Sequence, residues 1–113
     1  MLAVLRRPRQ ELALTEEGLR VAVGLTTANP DVTVLLLDGA AWLAGLPALA
    51  PLGQHGLELH WETLAELGIR RLVERESLYA AGLGPDDVIA GVEVIAGDTV
   101  AGFLTNFKSV LVY

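Results

Sequence analysis

Arg70–Ile95, RRLVERESLYAAGLGPDDVIAGVEVI, is the stretch that decides the fold. It opens with Arg70–Glu74, a short β-rich apolar run that reads as a strand. A short helix follows, with Ser77 placed as its N-cap. Gly84-Pro85-Asp86-Asp87 then makes a sharp turn that starts another turn of helix. Proline suits the first helical position, and the acids suit the positive end of the helix. Val92–Ile95 returns as a second strand. Strand, helix, turn and strand at this spacing make a βα unit rather than a hairpin.

The rest of the chain repeats that alternation. Met1–Leu5 reads as a first strand, Val32–Leu37 (VTVLLL) as a central strand buried on both faces, and Ser109–Val112 as a last one. Between the first two, Leu19, Ala22, Val23, Thr26 and Thr27 line one face of a helix from about Leu12 to Ala28. Gly18 and Gly24 weaken it by about 1 kcal/mol each relative to alanine, so close packing is expected there. Leu57, Trp61, Leu64 and Ala65 define a second apolar face opposite Glu58, Glu62 and Glu66, with Gly68 as a left-handed cap. Asp98 is placed as the N-cap of a third amphipathic segment carrying Val100, Phe103, Leu104 and Phe107. No linker, repeat or low-complexity tract divides the chain. Residues 1–113 are therefore expected to form one α/β domain, a three-layer α/β/α structure around a five-stranded, mostly parallel sheet.

Composition narrows the function. The 113 residues include 52% hydrophobic and only 19% charged side chains, and the mean hydropathy is +0.47. Globular domains average about 45–50% apolar and about 25% charged, so some surface is expected to be covered by other subunits. A net charge of −6 argues against nonspecific nucleic-acid binding, which needs clustered cations. Arg6, Arg7 and Arg9 are the one local basic group, either a solvated strand end or a loop that contacts an anion or partner. With no cysteine, the chain alone can form no disulfide, thiolate metal site or thiol nucleophile. Arg6 interrupts any signal-peptide core, and Gly39–Leu57 is too broken by Pro47, Pro51 and glycines to span a bilayer. A cytoplasmic protein is expected, without membrane or direct nucleic-acid partners.

The residue order from Leu72 to Val94 resembles the C-terminal half of the DsrE/DsrF family of small sulfur-relay proteins. The matching positions are Leu72-Val73, Ser77-Leu78, Gly82-Leu83, Asp86-Asp87 and Gly91-Val92-Glu93-Val94. Asp38-Gly39 after the central strand is similar to the Asp-Gly of many members. Glu17-Gly18-Leu19 is similar to the helix entry of the DsrF (TusC-like) branch. Arg6–Gln10 departs from the pattern, lacking the small glycine-containing loop that many members carry. The resemblance implies a flavodoxin-like strand order with five parallel strands, and association into dimers, trimers or heterohexamers. Sulfur-carrying members place a cysteine eight residues before the glycine at the Gly82 position; here that count lands on Glu74.

Glu74 and Ser77 are the first candidate site or interface residues, because parallel sheets place their sites at strand carboxyl ends. Persulfide transfer is attack of sulfur on sulfur, which neither residue can perform. Glu74 is either a solvated partner of Arg71 or Arg75, or a group shaping a pocket for another subunit's cysteine. Ser77 lacks a G-x-S-x-G context for nucleophilic work. His55, placed in a loop, and His60 are read as ordinary surface or helix-start histidines, and no metal set is assigned. Gly82-x-Gly84 lacks the rest of a phosphate loop, so no nucleotide or other cofactor is expected. Asp86 and Asp87 belong to a helix start rather than an acid–base pair. Trp42, Leu43, Leu46 and Leu49, with Leu52, must be covered, either by the domain's own sheet or by another subunit.

The expected function is that of a non-catalytic subunit or cysteine-free relative in a DsrE/DsrF-like sulfur-relay assembly. It would bind cysteine-bearing DsrE-like subunits as a hetero-oligomer, or a second copy of itself. The alternative is a stand-alone homo-oligomeric module of the same fold that binds a small ligand or anion. An enzyme using Glu74, Ser77 or a histidine is the third reading.

Overall fold

Each apolar run becomes a strand and each helix-period segment a helix, with ends trimmed by a residue or two. In the computed structural model, which describes residues 1–29, 31–45 and 55–113, the strands are β1 (Leu2–Leu5), β2 (Thr33–Leu36), β3 (Arg70–Glu74), β4 (Val92–Ile95) and β5 (Val110–Val112). The helices are α1 (Leu12–Leu25), α2 (His55–Glu66), α3 (Arg75–Ala80) and α4 (Gly97–Thr105). Three 3-10 segments, Arg9–Glu11, Asp38–Gly45 and Pro85–Asp87, complete the chain.

The sheet runs β4-β3-β2-β1-β5, and every neighbouring pair is parallel. The α/β class and the five parallel strands are as expected. The strand order is not the flavodoxin-like 2-1-3-4-5. The chain steps in one direction from β1 to β4, then returns across the sheet to place β5 beside β1. Parallel crossovers are right-handed, so reversing the direction of travel moves the connecting helix to the opposite face. Helices α1, α2 and α3 pack on one face, and α4 alone covers the other. Nothing in the apolar periodicity encodes that lateral direction, which is why sequence alone misjudged it.

The alternation of side chains builds two cores. Ala3, Leu5, Val34, Leu36 and Val73 point to the three-helix face and meet Leu19, Leu43, Leu57, Trp61, Leu64 and Leu78. Leu2, Val4, Leu35 and Leu72 point the other way, against Val100 and the half-buried Phe103 and Phe107. Glycine 18 is explained by crowding: a Cβ there would lie 2.9 Å from Leu5 Cδ2 and 3.1 Å from the Tyr113 ring. Space around Gly24 is open, and nothing in the structure explains that residue. Gly68 takes φ +70 and ends α2 through the left-handed cap expected of it.

Three local expectations change. Ser77 is not an N-cap: α3 begins at Arg75 with Glu74 as its cap residue. Asp98 sits inside the first turn of α4, whose cap residue is Ala96. His55 begins α2 rather than lying in a loop. For α3 and α4 the helix starts two or three residues earlier, because the preceding strand runs directly into it.

Arg71 is the exception within the main core. It lies on the three-helix face, 5% exposed, with its guanidinium 4.8 Å from the Trp61 ring centroid. Its Nε has no hydrogen-bond partner among the described residues. Desolvation lowers its pKa from the ordinary arginine value, and the aromatic face supplies part of the missing stabilisation.

Candidate functional site

The carboxyl ends of the strands carry the polar residues that the cores do not use. Adjacent strands β3 and β4 hand the chain to opposite faces, α3 to one and α4 to the other. Such a divergence marks the place where open parallel sheets characteristically put their sites. Glu74 closes β3 at this point.

Glu74 is held, not free. Ser77 Oγ donates to its Oε1 at 2.6 Å and accepts the Asp38 backbone N–H at 2.8 Å. The serine is 5% exposed, so both of its bonds are sheltered from water. Arg75 pairs with Glu76 (3.4 Å), and Arg71 lies inside the core. Neither of the arginines expected beside Glu74 is its partner. The carboxylate of Glu76 occupies the space a Cβ at Gly97 would take, and Glu74 Oε2 lies 3.4 Å from that point. Both acids therefore sit at the N-terminus of α4, where the helix dipole favours negative charge.

Asp38 joins this acidic strand end, through Ser77, to a second site. It adopts φ +51, a left-handed conformation that Asp tolerates better than most residues. The Ser77 bond to its N–H and the Arg6 bond to its carboxylate hold that geometry: Arg6 Nε lies 2.7 Å from Asp38 Oδ2. Next to it, a Cβ on Gly39 would lie 2.8 Å from Pro8 Cα. The β1 and β2 ends can thus meet backbone to backbone only because residue 39 is glycine.

This contact forms the floor of a cavity of about 420 Å³. Pro8, Arg9 and Gln10 line one side, Asp38, Gly39 and Trp42 another, and Ala80 and Ala81 at the end of α3 the third. The three basic residues at the β1 end separate here. Arg6 is paired with Asp38 and Arg7 with Glu11. Arg9 has no carboxylate partner among the described residues and lies 5.9 Å over the Trp42 ring. Among the described residues the indole N–H of Trp42 has no acceptor.

The expected interface stretch divides. Leu43 is fully buried in the domain's own core, which leaves it no surface to offer a partner. Trp42 is half-buried and walls the cavity. Leu46, Leu49 and Leu52 lie outside the described residues. His60 is half-buried on α2, away from the strand ends. Among the described residues, no three His, Cys, Asp or Glu side chains gather as a metal site would require, and no helix is long and apolar enough to cross a membrane. Sequence reasoning named Arg9 and Trp42 separately but missed their meeting. The available signal was that both follow strand carboxyl ends.

The DsrE/DsrF-like family profile matches residues 1–113. Two solved structures share the fold. The crystal structure of the YchN protein from E. coli superposes with a TM-score of 0.79 at 20% identity, covering 99% of this chain and 97% of that one. MTH1491 from Methanobacterium thermoautotrophicum, a protein of unknown function, gives 0.61 at 14% identity, covering 99% and 96%. No curated protein matches the sequence.

Proposed function

The chain belongs to the DsrE/DsrF-like family, and from that premise we propose that it serves as a non-catalytic, cysteine-free subunit of a sulfur-relay assembly. In this reading it resembles the TusC-like branch and acts by binding cysteine-bearing DsrE-like subunits. The observation that carries the reading is Glu74. Where the sulfur-carrying members place their cysteine, this chain has a carboxylate tied to Ser77 at 2.6 Å. A carboxylate cannot hold a persulfide, and this one is fixed by a neighbour that is itself buried. Its role is then to shape a surface that receives another subunit's thiol.

Apolar surface supports the same reading. Leu59 and Leu67 on and after α2, Tyr79 on α3, and Val110 and Val112 on the edge strand β5 are all large, hydrophobic and exposed. Edge strands with unpaired backbone groups are natural sites of association. The test is purification of the tagged chain from the organism that encodes it. Recovery of a cysteine-bearing DsrE-like protein in fixed stoichiometry supports the proposal. A monomer with no such partner, or a self-association that excludes one, overturns it.

A further inference from the structure

We infer that the cavity between Arg9 and Trp42 is a binding site for a small organic anion with a flat apolar body. This goes beyond the subunit reading and does not depend on it. Three observations converge. First, the chain carries a net charge of −6, yet of the neighbouring cations Arg6, Arg7 and Arg9 the last lines this cavity. Acids neutralise two of those cations: Asp38 neutralises Arg6, and Glu11 neutralises Arg7. Among the described residues Arg9 is the one of these three cations without a carboxylate partner, a positive charge at the cavity opposite in sign to the net charge of the protein.

Second, the walls suit a ligand with an apolar body. The cavity of about 420 Å³ falls within the range of small-molecule pockets, roughly 300–1,000 Å³. Trp42 offers an aromatic face, with Pro8, Ala80 and Ala81 as further apolar lining. A guanidinium 5.9 Å from that ring sets a cation beside an apolar surface, matching a ligand that joins a carboxylate to a planar group. Third, the frame is rigid where it needs to be. Asp38 is held by Ser77 and Arg6, and Gly39 packs directly on Pro8. The two loops forming the cavity are therefore fixed relative to each other before any ligand arrives, which lowers the entropic cost of binding.

Binding is read with benzoate as the probe and benzamide as its neutral isostere, followed by NMR of the indole N–H signals. The chain has two tryptophans, and Trp42→Phe assigns them. Benzoate is expected to shift the Trp42 signal saturably and leave Trp61 in place, while benzamide shifts neither. Arg9→Gln is expected to weaken benzoate binding about tenfold or more, as loss of a charge-assisted contact does. Arg20→Gln, at an exposed arginine that does not line the cavity, leaves it unchanged. Equal shifts with benzamide, equal affinity in Arg9→Gln, or a response confined to Trp61 would each overturn the inference. Benzoate that shifts neither signal at any concentration overturns it as well. The partner purification above is unaffected by any of these outcomes, so the two readings fail separately.

Discussion

The two faces of the sheet are built from the same strands by the same alternation, yet they carry unequal loads. One face is covered by α1, α2, α3 and the 3-10 segment Asp38–Gly45, and it buries Trp61, Leu43, Leu57 and Leu64 completely or nearly so. The other face has only α4, with Val100 buried and Phe103 and Phe107 half-exposed. Valines 110 and 112 of β5 stand exposed beside it. Folding stability is thus concentrated on the thick face, and the thin face leaves more of its sheet uncovered. The Glu74–Ser77–Asp38 network and the cavity lie at the strand ends.

The largest test of this asymmetry is truncation on each side. Trp61→Ala is expected to cost about 3–5 kcal/mol, the range for a buried aromatic. Phe103→Ala, half-exposed on the thin face, should cost about 1–2 kcal/mol, scaled down from the same range. Urea denaturation of both variants measures the difference, and equal losses would remove the distinction between the faces. Gly39→Ala comes next, at about 1–3 kcal/mol, because its methyl meets Pro8 backbone that cannot swing away. Thermal unfolding checks it, and the Trp42 indole signal should move with it.

Ser77→Ala removes one donor to Glu74 and the acceptor of the Asp38 N–H. Leaving the part-buried N–H without its protein acceptor predicts a loss of about 1 kcal/mol. If stability is unchanged, the strand-end network contributes nothing to joining the faces. Arg71→Met tests the thick face from the opposite direction. Replacing a buried, unpaired cation by an apolar side chain of similar length should be neutral or stabilising. A loss above about 2 kcal/mol would mean that its stacking on Trp61 outweighs its desolvation.

The smallest expected effect lies on the thin face. Arg70 donates to Glu93 at 3.1 and 3.2 Å, which holds the Glu93 carboxyl below its ordinary pKa and raises that of Arg70. A carboxyl depressed in the folded state adds stability above its unfolded pKa of about 4.3 and loses it as pH falls through the folded value. The pair is half-exposed, so the contribution is about 0.2–1 kcal/mol and is screened by salt. Glu93→Gln should flatten the acid limb of stability below about pH 4.3 by that amount, and more visibly at low ionic strength.

Much of the fold was legible because it rests on period and punctuation. Arg70–Glu74 and Val92–Ile95 were located to the residue, and Gly68 ends its helix as a left-handed cap must. Helix starts were less legible. Ser77 and Asp98 have good capping chemistry, but the strands before them run straight into helix, so neither has an unpaired first turn to cap. The site was legible only in its parts. Glu74 stood out by the missing cysteine, whereas its link through Ser77 to Asp38 spans 39 positions and leaves no periodic trace.

From sequence alone, the alternation of apolar strands and amphipathic helices determined an α/β domain, because burying both periods at once permits few other layers. The absence of cysteine excluded thiol chemistry by this chain. Tertiary structure decided the rest. A right-handed crossover that reverses direction must change faces, and this put α4 alone on one side of the sheet. Close approach of Pro8 to Gly39 brought Arg9 over Trp42. Both outcomes depend on which distant segments meet, and that is set by packing rather than by any local pattern.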